Sequence, residues 1–512
     1  EIAMSDWSSD VCSSDLVKKL WEKGGNNMKL RKVMALTLAG TMALAAVGCG
    51  SDASTTNDAP AASTATETKT ETKTETATET AQAQETSLED VKNLNDGKLV
   101  IWTLANDLID FGERFQEKTG VEVETVVIEP ANYPTKVQTA LLGGESEPDI
   151  IVGEPKMLED FYDAGFFEDL DAFGAQDYAD EIVDYVWEVG QDADGIQRAI
   201  SYQITPAGIY YRRDIAKEVF GTDDPDEIGK KFADYPTILE TAQELKDAGY
   251  RIFSSDAEMN VFSGDSAWVL DDTLNVDQAR LDYMDLCVEL YQNDLTAYAN
   301  QWSTPWYQAM AGEVPILTAD IQSYADDSVN VWDADQFAEA TASLDKTEVF
   351  AFGLPAWGVL TMRDNVGDTS GKWGVCSGPA YGFDGGTYIG ISSQSKRKET
   401  AWEFVKFCTL NEDTADWWID YSQGDTVSLK SALEKHKDDE NAIYGGEKLY
   451  QFWLKQAEGI DTSKVTRYDQ AIGDAFGNAI SSVKTGEKTK EDALNDFYDV
   501  IESTYPEIKV VR

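Results

Sequence analysis

Residues 97–153 read GKLVIWTLANDLIDFGERFQEKTGVEVETVVIEPANYPTKVQTALLGGESEPDIIVG. Two apolar runs and one alternating run in this stretch are typical of strands, at 99–104, 148–152 and 121–127. Helical patterns lie between them, the first ending at Gly120 and the second beginning at Pro134. Strands and helices that alternate through short connections predict a parallel, doubly wound α/β sheet. In such sheets ligands lie at the carboxyl ends of the strands, here 104–107 and 153–156.

Composition excludes several classes of function. The chain has 512 residues with 94 acidic and 42 basic side chains, a formal net charge of −52. Nucleic-acid binding and docking on an anionic membrane through a basic patch both need clustered Lys and Arg, so neither is expected. With 42% hydrophobic and 11% aromatic residues, most of the chain can form a packed core.

The N-terminal region carries an export pattern. Residues 1–27 differ in character from the rest of the chain, and we expect them to be a non-native extension. Residues 28–48 have a basic start and an apolar stretch, Val33–Val47, that is too short to span a bilayer. The end of this segment, followed by Cys49, resembles the bacterial lipobox, in which the cysteine is acylated. The alternative is an ordinary signal peptide with an incidental cysteine.

A low-complexity stretch follows Cys49. Residues 49–96 are rich in Thr and Glu and hold few large apolar side chains, so we expect a flexible tether. Together with the lipobox this predicts an exported protein, anchored by its lipid to the outer face of the bacterial cytoplasmic membrane. No other membrane contact is expected.

Several segments resemble one protein family. They are GKLVIW (97–102), FQEKTGVEV (115–123), EPDIIVGEP (147–155), YDAGFFEDLD (162–171), ISYQITPAGIYYRRDIAKEVFG (200–221), MAGEVPILTADI (310–321) and GKWGVCSGPAYGFDGGTYIGISSQSKRKETAWEFVKFC (371–408). In this order they are similar to the family-1 extracellular solute-binding proteins of ABC importers, which include maltose-binding protein. The resemblance covers roughly residues 97–512.

This resemblance implies a two-lobe periplasmic-binding-protein-like fold of type II. Three interlobe crossovers are expected near 204–208, 380–384 and 424–428. The N-lobe would comprise 97–205 and 382–425, and the C-lobe 206–381 and 426–512. A ligand in the cleft favours lobe closure, since only the closed state offers contacts from both sides. The resemblance also implies a monomer that delivers its ligand to the transmembrane subunits of an ABC permease.

Catalysis and metal binding have little support in the sequence. Cys376 lies in a G-x-C-x-G pattern, but the single histidine, His436, belongs to a polar segment typical of a solvated helix. We expect no catalytic residue and no cofactor, and a nitrogen–sulfur metal site is excluded by the shortage of ligands. The candidates for a calcium site are two acidic turns, around Asp192 and Asp224. A secreted glycan-acting hydrolase is the rival function, because it needs only two carboxylates.

The tryptophans suggest a carbohydrate ligand. A sugar ring packs its apolar face on an aromatic ring, while its hydroxyls pair with polar side chains. The chain has 14 Trp, and several lie in polar or Gly/Pro-rich loops, including Trp302. The candidates for stacking are Trp268, Trp306 and Trp357, and Trp357 is similar in position to a sugar-stacking tryptophan of the maltose-binding relative.

Polar candidates follow from strand ends and from the resemblance. Asn106 and Asp107 follow the first strand, and Glu154 and Lys156 follow the third. The resemblance adds Tyr202 and Thr205 at the first crossover, and Arg467, Tyr468 and Asp469 where a C-terminal helix faces the cleft. We therefore expect an ABC-importer receptor that captures a carbohydrate, in particular an oligosaccharide. The alternatives are the hydrolase and a receptor for a peptide or other polar solute.

Overall fold

The fold was obtained as a computed structural model, which describes residues 87–95, 97–317 and 334–512. The strands are β1 (Leu99–Thr103), β2 (Val123–Val127), β3 (Ile150–Gly153), β4 (Ile200–Ser201), β5 (Ala207–Arg212), β6 (Arg251–Phe253), β7 (Val269–Leu270), β8 (Thr273–Leu274), β9 (Glu313–Pro315), β10 (Lys346–Pro355), β11 (Trp373–Cys376) and β12 (Tyr388–Ile391). Residues 1–48, Cys49 and most of the expected tether lie outside the described residues.

The structure describes seventeen α-helices within residues 87–95, 97–317 and 334–512. They are α1 (Asp107–Thr119), α2 (Tyr133–Leu142), α3 (Pro155–Asp163), α4 (Asp184–Val189), α5 (Arg213–Phe220), α6 (Pro225–Gly229), α7 (Tyr235–Asp247), α8 (Gln278–Gln292), α9 (Thr304–Ala311), α10 (Ala334–Thr341), α11 (Gly358–Asn365), α12 (Lys398–Thr409), α13 (Glu412–Ser422), α14 (Lys430–His436), α15 (Leu449–Ala457), α16 (Asp469–Lys484) and α17 (Lys490–Thr504). Within the described stretches, none of these helices is both long enough and apolar enough to cross a bilayer.

The first sheet has the order β2-β1-β3-β12-β4. Strands β1, β2 and β3 are parallel, as the sequence predicted, and Gly120 ends α1 in a left-handed conformation. Strands β12 and β4 complete the sheet, with β12 antiparallel to both of its neighbours, an addition that the pattern of residues 97–153 did not predict. The reason is that β12 comes from a later part of the chain and returns in the opposite direction, a pairing that local periodicity does not show.

Residues 87–95 correct the expected end of the tether. Val91 is fully buried against the first sheet's core, and the Asn95 side chain accepts hydrogen bonds from the backbone and hydroxyl of Thr400. The tether was expected to run to residue 96, but Val91 gives its last residues an apolar anchor on the globular body.

The second sheet has the order β11-β5-β10-β6, with β9 paired to β10. Side chains of β5 alternate between its two faces: Tyr210 joins the core shared with the first sheet, whereas Ile209 and Tyr211 join a core with α16 and α17. The architecture is mixed α/β, with two five-stranded sheets whose strands come from separate parts of the chain.

Two chain segments join strands of different sheets. One links β4 to β5 across 202–206, and the other links β11 to β12 across 377–387. Farther on, Ser428 and Leu429 still pair with segments beside the first sheet, since Val183 donates to the Ser428 carbonyl and Ile182 bridges to Leu429. The three-crossover count and the lobe boundary between 425 and 426 stay predictions.

Candidate functional site

A cleft of about 790 Å³ opens between the two sheets. Lys156 lines it from α3, beside the first sheet, and Phe383 and Asp384 line it from the segment between β11 and β12. Most of its remaining walls come from the end of β10, the loop after β6, and one side each of α8 and α16. The polar side chains among these walls include Ser255, Asp256, Glu258, Asn260, Ser263, Ser266, Arg280, Gln301, Asp469, Gln470, Asp474 and Lys484.

One end of the cleft combines an ion pair with an indole. The Lys156 ammonium lies 2.7 Å from an Asp384 carboxylate oxygen, and both side chains are 40% exposed. Burial lowers the pKa of Lys156, but the charge and hydrogen bond of Asp384 outweigh it, so the pKa is raised. The Trp357 indole N–H donates to the Asp384 carbonyl at 3.1 Å. The Lys156–Asp384 ion pair and the Trp357 ring therefore lie side by side at this end of the cleft.

The second tryptophan of the cleft is covered by an arginine. Trp268 is buried, with the Arg280 guanidinium carbon 3.8 Å from its ring centroid and Phe476 against its edge. Arg280 also pairs with Asp277 at 2.5 Å, and burial lowers the pKa of Arg280. At the start of α16, Asp469 accepts the Thr466 hydroxyl at 2.6 Å and keeps its carboxylate at the cleft wall.

Charged groups also line the part of the cleft formed by the loop after β6. The Lys484 ammonium pairs with buried Asp256 at 2.6 Å. Glu258 accepts the Trp306 indole N–H at 2.9 Å, the Gly353 amide at 3.3 Å, and the Ser254 hydroxyl. The three hydrogen bonds favour the charged carboxylate, but burial outweighs them and raises the pKa of Glu258 to about 7.

A smaller cavity of about 60 Å³ is lined by several of the same side chains. Glu154, which precedes α3, lines it together with Lys156, Asp384 and Asp469. Burial and the Asp384 charge raise the pKa of Glu154, while Lys156 opposes them. Pro155 begins α3 directly after Glu154, and this turn brings both Glu154 and Lys156 to the smaller cavity, while Lys156 also lines the cleft.

Of the twelve side chains expected at the site, five line these two cavities: Glu154, Lys156, Trp268, Trp357 and Asp469. The other seven lie elsewhere. Trp306 is fully buried in the core beneath the cleft. Tyr202 is 1% exposed and donates its hydroxyl to Asp107 at 2.7 Å. Burial raises the pKa of Asp107, and the hydrogen bond opposes this shift.

The remaining expected residues stabilise connections or lie on the surface. The Thr205 hydroxyl donates to the Gly385 carbonyl at 3.3 Å, which ties the two linking segments together, and Asn106 precedes α1. Arg467 pairs with Glu159 at 2.8 Å, Asp160 at 3.4 Å and Asp163 at 2.5 Å, all on α3. Tyr468 precedes α16 and packs edge-on against Tyr505.

The groups considered for chemistry have structural contacts. Cys287, Cys376 and Cys408 are unpaired and buried, and burial raises the pKa of Cys376. His436 contacts Asp416 and Asp439. Asp192 and Asp224 accept backbone amides in a turn and at a helix start. In the described part of the chain, no cluster of three or more His, Cys, Asp or Glu side chains is suited to a metal ion.

Sequence reasoning missed several lining residues. Asp384 lies at the end of the expected second crossover, so its position carried a usable signal. No sequence signal pointed to Arg280, Asp256 or Lys484, because the local pattern around each predicts only a helix or a loop. Long-range packing of α8 and α16 brings them to the cleft.

Several solved structures share the fold of this chain. Among solved structures, one named extracellular solute-binding protein family 1 has a TM-score of 0.63 at 18% identity, covering 78% of this chain and 98% of its own. The binding protein of B. animalis subsp. lactis in complex with beta-1,6-galactobiose gives 0.61 at 17% identity, covering 82% and 100%. The GacH receptor of Streptomyces glaucescens, described with acarbose, gives 0.59 at 15% identity, covering 81% and 100%.

The family's sequence pattern gives the assignment itself. The pattern described as bacterial extracellular solute-binding protein matches residues 110–443, well over half of the chain. This chain therefore belongs to the family of bacterial extracellular solute-binding proteins, which are binding proteins and not enzymes.

Proposed function

We propose that this protein is the lipid-anchored receptor of an ABC importer and captures a carbohydrate, in particular an oligosaccharide, in the cleft between its sheets. The observation that carries the proposal is the Trp357 indole beside the Lys156–Asp384 pair at the cleft wall. The indole face matches the C–H face of a sugar ring, and the ion pair matches the hydroxyl groups at its edge.

Capture involves binding and closure without chemistry. The ligand contacts Lys156 from one side and the α16 side chains, such as Asp469, from the other. A ligand that bridges the proposed lobes favours the closed state by the extra contacts it makes there. We propose 97–205 with 382–425 as the N-lobe and 206–381 with 426–512 as the C-lobe. The closed monomer would then deliver the ligand to the permease.

The cleft has the size of a ligand site, and several structurally similar proteins are described with sugars. Its volume of about 790 Å³ lies in the range of about 300–1,000 Å³ that small-molecule sites occupy. Two structurally similar proteins are described in complex with beta-1,6-galactobiose and with acarbose. A third is described bound with alpha-D-tagatose.

The family is extracellular, so the protein is exported. We propose that Cys49 carries the lipid and that residues from 50 to about 86 act as the tether. Growth with an alkyne-labelled fatty acid tests this directly. The wild-type chain should incorporate the label and stay with the membrane fraction, whereas Cys49→Ser should do neither. Equal labelling of both would contradict the assignment.

A ligand screen tests the binding function. Thermal unfolding is measured with mono- to tetrasaccharides of several linkages, with polyols, and with di- to pentapeptides. A ligand present at 100 times its Kd stabilises the folded protein by about 2.7 kcal/mol. We expect stabilisation by at least one saccharide series. Stabilisation by peptides alone would support the polar-solute alternative and contradict the carbohydrate assignment.

A further inference from the structure

Trp302 has an unusual backbone and an unusual exposure. The Ser303 amide donates to the Asn300 carbonyl at 3.1 Å, so residues 300–303 form a tight turn with Trp302 at its third position. Trp302 has a φ of 70°, in the left-handed region that favours Gly or Asn at such positions. It is 47% exposed, and no other tryptophan among the described residues is as exposed.

The ring of Trp302 is held in place by two other tryptophans. Its ring lies 5.2 Å from the ring of buried Trp306, whose own N–H is bonded to Glu258. On another side it lies nearly parallel to Trp357, with centroids 5.5 Å apart and planes 21° apart. At a contact distance of about 3.5 Å, such a separation means that the two rings are displaced sideways by about 4 Å.

This arrangement forms a stepped aromatic surface beside the cleft. Trp357 lines the cleft itself, and Gln301, the neighbour of Trp302, lines it as well. Because the rings are displaced, neither indole fully covers the other, and Trp302 extends the apolar surface of Trp357 toward solvent. A strained backbone that exposes a large aromatic ring is a feature typical of functional sites.

We propose that Trp302 determines ligand length: with Trp357 it forms a two-indole platform on which consecutive sugar rings stack, so the protein selects oligosaccharides over monosaccharides. This inference rests on the proposed carbohydrate function. The sugar ring at Trp357 contacts the Lys156–Asp384 pair through its hydroxyls, and the next sugar ring lies on Trp302. A monosaccharide uses only the first position and gains nothing from Trp302.

The variants separate a ligand contact from a structural role. Trp302→Gly and Trp302→Asn remove the ring and place at φ 70° a residue that tolerates this conformation. We therefore expect an unfolding temperature equal to or above that of the wild type. The matched control is Trp417→Ala, because Trp417 is a partly exposed tryptophan that stacks on Tyr421 and lines neither cavity.

Calorimetric titrations use wild type, both Trp302 variants and the control with gluco-, galacto-, manno- and xylo-saccharides of one to four units. We expect the Trp302 variants to bind the tri- and tetrasaccharides of the recognised series at least fivefold more weakly, with monosaccharide affinity within twofold of wild type. The control should match wild type throughout.

Four results would overturn the inference. Wild-type affinity of both Trp302 variants for every length would refute it while the carbohydrate function stands. An equal loss at all lengths, or a large fall in unfolding temperature of both variants, would assign Trp302 a structural role instead. A wild type that binds none of these sugars would overturn the carbohydrate function itself, and the inference with it.

Discussion

Glu258 should make the stability of this protein fall as pH rises. Its carboxylate is buried beside the cleft among three donors, from Ser254, Trp306 and Gly353. Hydrogen bonds from these donors favour the charged form, but burial, together with the charge of nearby Asp256, outweighs them and raises the pKa to about 7. The folded protein therefore holds a proton on Glu258 at a pH where the unfolded chain has lost it.

The magnitude follows from proton linkage. With an ordinary glutamate pKa near 4.5 in the unfolded chain and about 7 in the folded protein, stability declines as pH rises from about 4.5 to 7. The group binds more protons when folded, so the slope of unfolding free energy against pH is negative. Between pH 5 and pH 8 this one carboxyl should lower the free energy of unfolding by about 2–3 kcal/mol.

Denaturant unfolding of wild type and Glu258→Gln at half-unit steps from pH 5 to pH 8 isolates the effect. The difference in unfolding free energy between the two should shift by about 2–3 kcal/mol in favour of the variant as pH rises. Asp425→Asn tests the same reasoning at a second site, because burial also raises the pKa of Asp425 to about 7, and its difference from wild type should shift with the same sign. A Glu258→Gln difference that stays constant with pH would show that this carboxyl holds no extra proton in the folded protein.

Two further predictions concern the cleft and its rim. Trp357→Ala should lower affinity for the recognised sugar at least tenfold, about 1.4 kcal/mol, with a nearly unchanged unfolding temperature; wild-type affinity by calorimetry would count against stacking. Arg467→Ala removes partly exposed ion pairs between the start of α16 and α3. It should change unfolding free energy by less than about 1 kcal/mol but increase the radius of gyration in small-angle scattering. An unchanged radius would show that these pairs do not hold the two sides of the cleft together.

Local sequence patterns predicted the local part of the fold. The apolar run at 99–104, the helix that ends at Gly120 and the strand before Glu154 all form close to their expected positions. The pattern could not show that β12 pairs antiparallel with β3, because that pairing joins residues more than 230 positions apart. Nor could the composition of 87–95 show that the Val91 side chain would reach the core.

The site was predictable where topology fixes it. Glu154 and Lys156 line the cavities because they follow a parallel strand, and the strand-end rule applies to them directly. Trp306 shows the limit of inferring exposure from loop composition: Ser303 and Pro305 lie at the start of α9, and this helix turns the indole into the core. The sequence placed Arg467 beside the helix that lines the cleft, but its guanidinium pairs with three carboxylates on α3 and does not line the cleft.

A crystal structure of the protein with the best saccharide from the ligand screen would show directly whether the cleft is a sugar-binding site. We expect one intact sugar chain in the cleft between the sheets, with a ring stacked on Trp357 and hydroxyls within hydrogen-bond distance of Lys156 or Asp384. Saccharide bound only outside the cleft, or a ring placed away from Trp357 with the Lys156–Asp384 pair untouched, would contradict the proposed binding mode.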